Sequence, residues 1–399
     1  MSPLSWPRSI QALRRDELPG RIDPVLLFAA LALAGFGLVM VASSSIAIAE
    51  GAGVAPLYFV IRHAMFLAMG VALAFLVVLV PLAWLEQASR VLLLGGFVLL
   101  LAVFVPGVGH KVNGATRWIN FGVTTFQAVE AVKLIVIVYL ASYLVRFGSQ
   151  VRTSLLGTIK PLAIAAMLVG LLLVQPDFGS AALLLAIVIG MIWLAGARVR
   201  DVTGLALLGT PVMAIAAWTE PYRVKRLTSF LDPWADPFKD GFQLSQALIA
   251  IGRGEWVGVG LGASIQKLYY LPEAHTDFIL AVIAEELGLV GVVLVLALFA
   301  LLAGRAFTLG LRAIESGLTF AGYCAFGIAL WIGVQSLVSV GVNLGVLPTK
   351  GLTLPLISSG GSSLLMTCAA IGLLLRIGYE TTRREAELAI SLDDVEGAG

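Results

Sequence analysis

The chain has 399 residues, 59% of them hydrophobic and only 13% charged, with a formal net charge of +2 and a mean hydropathy of +0.98. A soluble domain carries about 25% charged residues, so this chain lacks the polar surface to face water all round and must turn apolar surface to lipid. The near-neutral balance excludes the basic stripe of a nucleic-acid binder, and three scattered histidines, His63, His110 and His275, offer no zinc cluster.

In chain order, apolar runs long enough to cross about 30 Å of hydrocarbon fall at 24–46, 62–80, 91–105, 128–146, 160–175, 179–196, 202–219, 279–302, 318–342 and 361–379. The predicted fold is therefore an all-α membrane protein, a polytopic bundle of about ten transmembrane helices. Ala47-Ile48-Ala49 has the form of a signal-peptidase site, but the apolar run before it is longer than a signal core, so the first helix is expected to stay uncleaved. Cys324 and Cys368 fall within the ninth and tenth runs, where small buried hydrophobes are expected rather than a disulfide.

Lys and Arg in short loops set the orientation. With the N terminus inside, the inner side holds Arg8, Arg14, Arg15, Arg21, Arg90, Arg146, Arg152, Lys160, Arg198, Arg200, Arg305, Arg312, Arg376, Arg383 and Arg384, and the short outer loops hold only Arg62, Lys111, Arg117 and Lys350. Both termini are thus expected in the cytoplasm. The expected organisation is a cytoplasmic tail over 1–22, a transmembrane domain over 23–380 with a large extracytoplasmic loop at about 220–278 between the seventh and eighth spans, and a cytoplasmic tail over 381–399.

Polar residues concentrate in three outer segments. The first, 106–133, contains Asn113-Gly114-Ala115-Thr116-Arg117-Trp118-Ile119, then Gln127, Glu130 and Lys133. The second is the long loop, with Arg223, Arg226, Lys267 and the run Leu271-Pro272-Glu273-Ala274-His275-Thr276-Asp277; the third runs from Asn343 to Ser363 and includes Lys350. One cavity opening outward would collect all three. Glu130 and Lys133, three apart on a predicted helix, share a face and can pair. Ionisable groups at membrane depth are costly unless they face protein or a wet cavity, which makes the pair a candidate site; a helix-packing pair is the alternative.

Asp177, in Gln175-Pro176-Asp177-Phe178-Gly179, reads at least as well as a helix N-cap as it does as a catalytic residue. Of Glu285 and Glu286, early in the eighth span, one is expected to face the cavity and the other to pair with a neighbour. The glycine-rich stretch 252–262 lacks the Gly-Lys-Ser/Thr of a phosphate-binding loop and is expected to be loop or re-entrant backbone. With no nucleotide element in view, the energy for any outer-face chemistry must arrive with the substrate. Asp277 sits where the long loop meets the eighth span. Partial desolvation there raises a carboxylate's pKa toward a general base's range, while a helix N terminus opposes the shift. A plain N-cap from Thr276 or Asp277 fits the same residues.

These motifs resemble the SEDS family (shape, elongation, division and sporulation). The likeness covers nearly the whole membrane region: NGATRWI at 113–119, QPDFG at 175–179, YRVKRLTSFLDPW at 222–234, LPEAHTDFI at 271–279, EELG at 285–288 and the 343–363 signature. Ala274 and the NGATRWI form resemble the septal branch more than the elongation branch. One departure is Gln127-Ala128-Val129-Glu130, where the family usually reads Gln-Pro-Ser-Glu; the helix start there loses its proline and serine, while Glu130 and Lys133 remain.

The resemblance implies a peptidoglycan glycosyltransferase of the bacterial inner membrane that polymerises lipid II at the division septum. It maps the family's essential carboxylate onto Asp277 and its fourth-helix acid and base onto Glu130 and Lys133. Arg117, Arg223, Arg226, Lys267, Glu273, His275 and Lys350 are expected around the substrate, with Arg223, Arg226, Lys267 and Lys350 on its pyrophosphate. No cofactor is required by the sequence, although a divalent cation, Mg or Mn, would suit a pyrophosphate. A class B penicillin-binding protein, the septal transpeptidase, is the implied partner, with other division proteins. Two other classes fit parts of the sequence: a lipid II flippase, against which the one-sided polar clustering and the lack of an inverted repeat count, and a divisome scaffold acting through its charged tails.

Overall fold

The computed structural model describes residues 20–112, 115–122, 124–218, 224, 228–239, 241–268, 270–348 and 351–396. The elements in chain order are α1 (Pro24–Gly51), α2 (Tyr58–Leu79), α3 (Leu82–Ala102), β1 (Gly109–Val112), β2 (Ala115–Asn120), β3 (Thr125–Gln127), α4 (Ala128–Thr153), α5 (Leu155–Val174), α6 (Phe178–Leu194), α7 (Val199–Trp218), α8 (Phe242–Gly254), α9 (Ile279–Glu315), α10 (Thr319–Asn343) and α11 (Gly361–Glu396). Among the described residues, eight helices are long and apolar enough to cross a membrane. The other two predicted spans are helical as well: α6, with 17 residues, and α7, with 20. Each of the ten predicted spans is thus a helix, and the polytopic all-α class stands.

Local chemistry sets the helix ends. Asp23 caps α1 by accepting from the Val25 and Leu26 amides, with Pro24 at the first helical position. Ser154 caps α5 through the Gly157 amide, and Asp177 caps α6 through the Ser180 amide at 3.2 Å. α4 starts at Ala128 despite the missing proline and serine, with Gln127 at its N-cap and Glu130 in its first turn, where a carboxylate favours the helix dipole.

Burial sorts the helices. α4, α10 and α11 are packed on most sides and form the centre, whereas α2 and α3 turn Phe75, Leu76, Leu79, Val91 and Leu94 outward. In lipid such faces need no cover, and association rests on close packing instead. α2 meets α11 this way: a Cβ on Gly372 would lie 2.5 Å from the Ala74 carbonyl oxygen, so only glycine lets the two backbones approach.

Several elements run further than the apolar runs. α9 continues past the expected 302 to Glu315, and α11 passes 380 to Glu396. Ion pairs explain the extensions: Arg305 with Asp23 at 2.8 Å, and Arg312 with Glu385 at 2.6 Å. These pairs, with Arg376–Glu380, gather at the end the charge count assigns to the cytoplasm. At the opposite end, 109–127 forms an antiparallel sheet in the order β1-β2-β3, pairing Gly109 with Ile119 and Trp118 with Gln127.

Candidate active site

α9 breaks nine residues after it starts. Gly288 has φ 65° and ψ −163°, a conformation open essentially to glycine alone. The interrupted backbone is satisfied by the glycine-rich segment after α8, which returns against it: the Val259 and Gly260 amides donate to the Glu285 and Glu286 carbonyls, and the Leu289 and Val290 amides donate to the Glu255 and Trp256 carbonyls, all at 2.9–3.1 Å. Irregular backbone survives in a membrane protein when protein groups satisfy it in this way. Of the loop expected over 252–262, residues 252–254 are instead the last turn of α8, and 255–262 form the glycine-shaped loop.

The side chains of Glu285 and Glu286 complete the junction. Glu285 is fully buried and accepts from Arg253 at 2.9 Å, from the Ile265 amide at 3.0 Å, from the Gln266 amide at 3.3 Å and from the Ser264 hydroxyl. Glu286, also fully buried, accepts from Lys267 at 2.7 Å and from Ser43 on α1 at 2.7 Å. One of them is expected from the sequence to face the cavity; instead the local helix is folded under the returning loop, and both carboxylates are buried and consumed there. Lys267 is consumed with them. An ammonium has three donors, and here they go to Ser43, the Gly262 carbonyl and Glu286. The structure does not bring Lys267 to Asp277.

Beyond this junction, 271–278 is pinned by the end of α10 and the segment that leads from it to α11. Asn343 donates to the Asp277 carbonyl at 3.0 Å and accepts from the Ala281 amide at 3.2 Å. Ser358 donates to the Thr276 carbonyl at 2.7 Å, and the Ser359 amide donates to the His275 carbonyl at 2.9 Å. The N-cap position of α9 is Phe278, not Thr276 or Asp277, and the Thr276 hydroxyl turns back to Glu273 at 2.7 Å. The Asp277 side chain is half-buried and reaches toward Gly351, where a Cβ would sit 3.0 Å from its Oδ2.

Glu130 and Lys133 pair as expected. The Lys133 Nζ bonds Glu130 Oε1 at 3.0 Å and lies 2.9 Å from Oε2. It also donates to Gln335 Oε1 at 2.9 Å and sits 4.7 Å over the Trp331 ring. Gln335 in turn accepts from the Trp331 indole at 2.7 Å and donates to the Thr353 carbonyl at 2.8 Å. Lys133 is fully buried. The pair therefore anchors 351–360, the segment that lies against Asp277, and is not in line of sight of solvent.

Arg117, on β2, clamps the turn before α6 by donating to the Gln175 carbonyl at 3.3 Å and to the Pro176 carbonyl. Gln127 ties the same corner to α11, its amide donating to Ser362 at 2.9 Å and its side chain to Asp177 at 3.3 Å. The three outer segments thus meet at one end of the bundle. Arg223, Arg226 and Lys350 lie outside the described residues, as do Asn113 and Gly114.

A cavity of about 220 Å³ opens beside this assembly, lined by Phe59, Arg62, His63, His275, Thr276 and Ser359 among others. Among the described residues, the Nε2 of buried His63 and the Nδ1 of His275 have no hydrogen-bond partner. The His275 ring packs 4.9 Å from Phe59, and burial holds its pKa below the ordinary histidine range, an effect Glu273 partly offsets. Arg62 and His63 were not among the predicted site residues. The available signal was the spacing of Phe59, His63 and Phe66, which places them on one helical face behind an arginine at the outer end of α2. Among the described residues, no three His, Cys, Asp or Glu side chains form a metal-holding group.

This arrangement defines a polytopic membrane protein whose polar machinery is assembled at one membrane face from a broken helix, a returning loop and three inter-helix segments. The chain matches the family model of the cell cycle proteins FtsW, RodA and SpoVE over residues 24–383, and it belongs to that family. It is 57% identical to the probable peptidoglycan glycosyltransferase FtsW of Xanthomonas oryzae pv. oryzae, over 94% of this chain and 77% of the relative. It is 48% identical to the protein of the same description from Coxiella burnetii, over 92% and 99%. Among solved structures, it resembles a chain of a peptidoglycan synthase complex that coordinates polymerization and crosslinking, with TM-score 0.74, 32% identity and coverage of 90% and 98%. It also resembles the rod shape determining protein RodA of Thermus thermophilus, with TM-score 0.66, 29% identity and coverage of 90% and 96%.

Proposed function

We propose that this chain is a peptidoglycan glycosyltransferase of the bacterial inner membrane that polymerises lipid II into glycan strands at the division septum, releasing undecaprenyl pyrophosphate. The observation that carries the chemistry is the position of Asp277: half-buried, off the cap position of α9, and on backbone held by Asn343, Ser358 and Ser359 beside an outer cavity. The names of the relatives support the reaction class.

In the proposed reaction, the 4-hydroxyl of one lipid-linked disaccharide attacks the anomeric carbon of the donor, which is a second lipid II or the growing strand. Asp277 takes the hydroxyl proton as the new glycosidic bond forms. The bond to the pyrophosphate breaks, and that group leaves with the bonding electrons. A positioned base of this kind supplies about 10²–10⁴ in rate. Charge develops on the pyrophosphate, where fixed cations act most strongly. Arg62 lines the cavity and is assigned this role together with Arg223, Arg226 and Lys350; Lys267 is not, because its donors are spent. His275 lines the cavity on the Asp277 loop, which also carries Glu273; Glu130 and Lys133 hold the 351–360 segment that contributes Ser359, and Arg117 holds the turn before α6. A class B penicillin-binding protein, the septal transpeptidase, is the proposed partner.

The test is polymer formation from purified lipid II in detergent, with and without the cognate transpeptidase. A glycan product is expected. If neither arm yields polymer while the protein still moves lipid II across vesicle membranes, the function is transport.

A further inference from the structure

A second cavity lies at the other end of the bundle. It holds about 330 Å³ between the start of α1, the inner part of α9 and α11, and its lining includes Arg21, Asp23, Arg305, Arg312 and Thr382. Three arginines converge there, and the ion pairs around it do not exhaust them. Arg312 is bound by two nitrogens to Glu385, at 3.1 and 2.6 Å. Among the described residues, Arg305 spends only its Nε, on Asp23 Oδ2 at 2.8 Å, while Asp23 Oδ1 caps α1. Arg21 is exposed, its backbone amide is held by Thr382 at 2.8 Å, and its guanidinium has no bond among the described residues. Among the described residues, two carboxylates against three guanidiniums leave a net positive pocket, with the terminal nitrogens of Arg305 and the whole Arg21 fork available.

The walls below this charge are apolar and open to lipid. Leu301 precedes Arg305 by four residues on α9, and Phe28 follows Pro24 by four on α1. Each therefore lies one turn deeper in the hydrocarbon, and they are 39% and 62% exposed. Ile22, at the rim, is half exposed. Cations at headgroup depth above lipid-facing apolar walls are the recognition chemistry of an anionic phospholipid, and the cytoplasmic leaflet, where the charge count places this end, is the anionic one. A soluble acidic peptide would satisfy the arginines but not the walls.

We propose that the groove between α1, α9 and α11 binds the phosphodiester headgroup of an anionic phospholipid of the inner leaflet, with Arg21 and Arg305 as its ligands and the acyl chains lying against Phe28 and Leu301. The site is at the opposite face from Asp277 and does not depend on the proposed reaction.

Native mass spectrometry of the full-length chain in detergent tests it, titrating phosphatidylglycerol, phosphatidylcholine and inorganic phosphate separately. Arg21→Gln is the variant least able to disturb the fold, because Arg21 contributes only its backbone to Thr382; Arg21→Gln/Arg305→Gln is the stronger one. Phosphatidylglycerol is expected to be retained over phosphatidylcholine, with retention weakened about fivefold for each cation removed. Equal retention by wild type and Arg21→Gln, or equal retention of the two lipids, overturns the proposal. So does inorganic phosphate alone displacing phosphatidylglycerol at millimolar level, which marks a small-anion site.

Discussion

Replacing Lys133 by Met tests how the outer segments are held. The ammonium is fully buried and serves Glu130, Gln335 and the Trp331 ring. Its removal leaves the Glu130 carboxylate, itself only 4% exposed, as an uncompensated buried charge. Breaking a buried pair from one side costs about 3–5 kcal/mol, whereas removing both partners is often close to neutral. Gln335 stays satisfied in either case, because Trp331 still donates to it at 2.7 Å and Thr353 still accepts from it at 2.8 Å. The single variant is therefore expected to melt on the order of 5–10 °C below wild type in detergent. Glu130→Gln/Lys133→Met should recover at least half of that loss. Tryptophan-fluorescence melting of the four proteins in the cycle gives the coupling directly. A Lys133→Met variant that melts within about 1 °C of wild type, or a double variant no better than the single, refutes a charge-compensating role for Lys133.

Further outcomes are expected elsewhere. Gly288→Ala forces a side chain onto a glycine-only conformation, with a Cβ 2.4 Å from the Gly258 nitrogen, and should cost about 3 kcal/mol or more; Gly53→Ala, at φ +68° in open space, should cost about 1 kcal/mol, as compared by thermal melts. Asp177→Ser keeps an N-cap and should retain both melting temperature and polymerisation, while Asp177→Ala loses about 1 kcal/mol; loss of polymer by a normally melting Asp177→Ser variant would make Asp177 more than a cap. His275 has a folded pKa below its unfolded value of about 6.5, so the unfolded chain binds more protons as pH falls and stability contributed by the neutral ring is lost below that point. Between pH 6.5 and 5 wild type should lose melting temperature more steeply than His275→Gln, and parallel curves would rule out this linkage.

The spans were legible in the sequence because an apolar run near 20 residues has few other uses, and the orientation because arginines collect at one end. The ends were less so. α9 and α11 outrun their apolar stretches on ion pairs between residues far apart in the chain, Asp23 with Arg305 and Arg312 with Glu385, and no local pattern encodes such pairs. The β1–β3 sheet is made of short polar strands in a segment read only as an outer loop. Glu130 and Lys133 could be paired from their spacing. Their partners Trp331 and Gln335 could not be found, because that contact spans about two hundred residues of sequence. Lys267 reads as a loop cation available to substrate until the loop is seen folding back onto a break in α9, where burial commits it to Glu286. Arg62 and His63 read as a loop charge and a stray histidine, since a linear sequence does not show that the outer turn of α2 packs against the Asp277 loop.

The most direct measurement is single-turnover polymerisation of lipid II in detergent by wild type, Asp277→Asn and Asp277→Ala, each checked for an unchanged melting profile. If Asp277 is the base that activates the acceptor hydroxyl, both variants fold as wild type and lose about 10²–10⁴ in rate. Polymer formed at the wild-type rate by either variant contradicts the assignment and moves the chemistry away from Asp277.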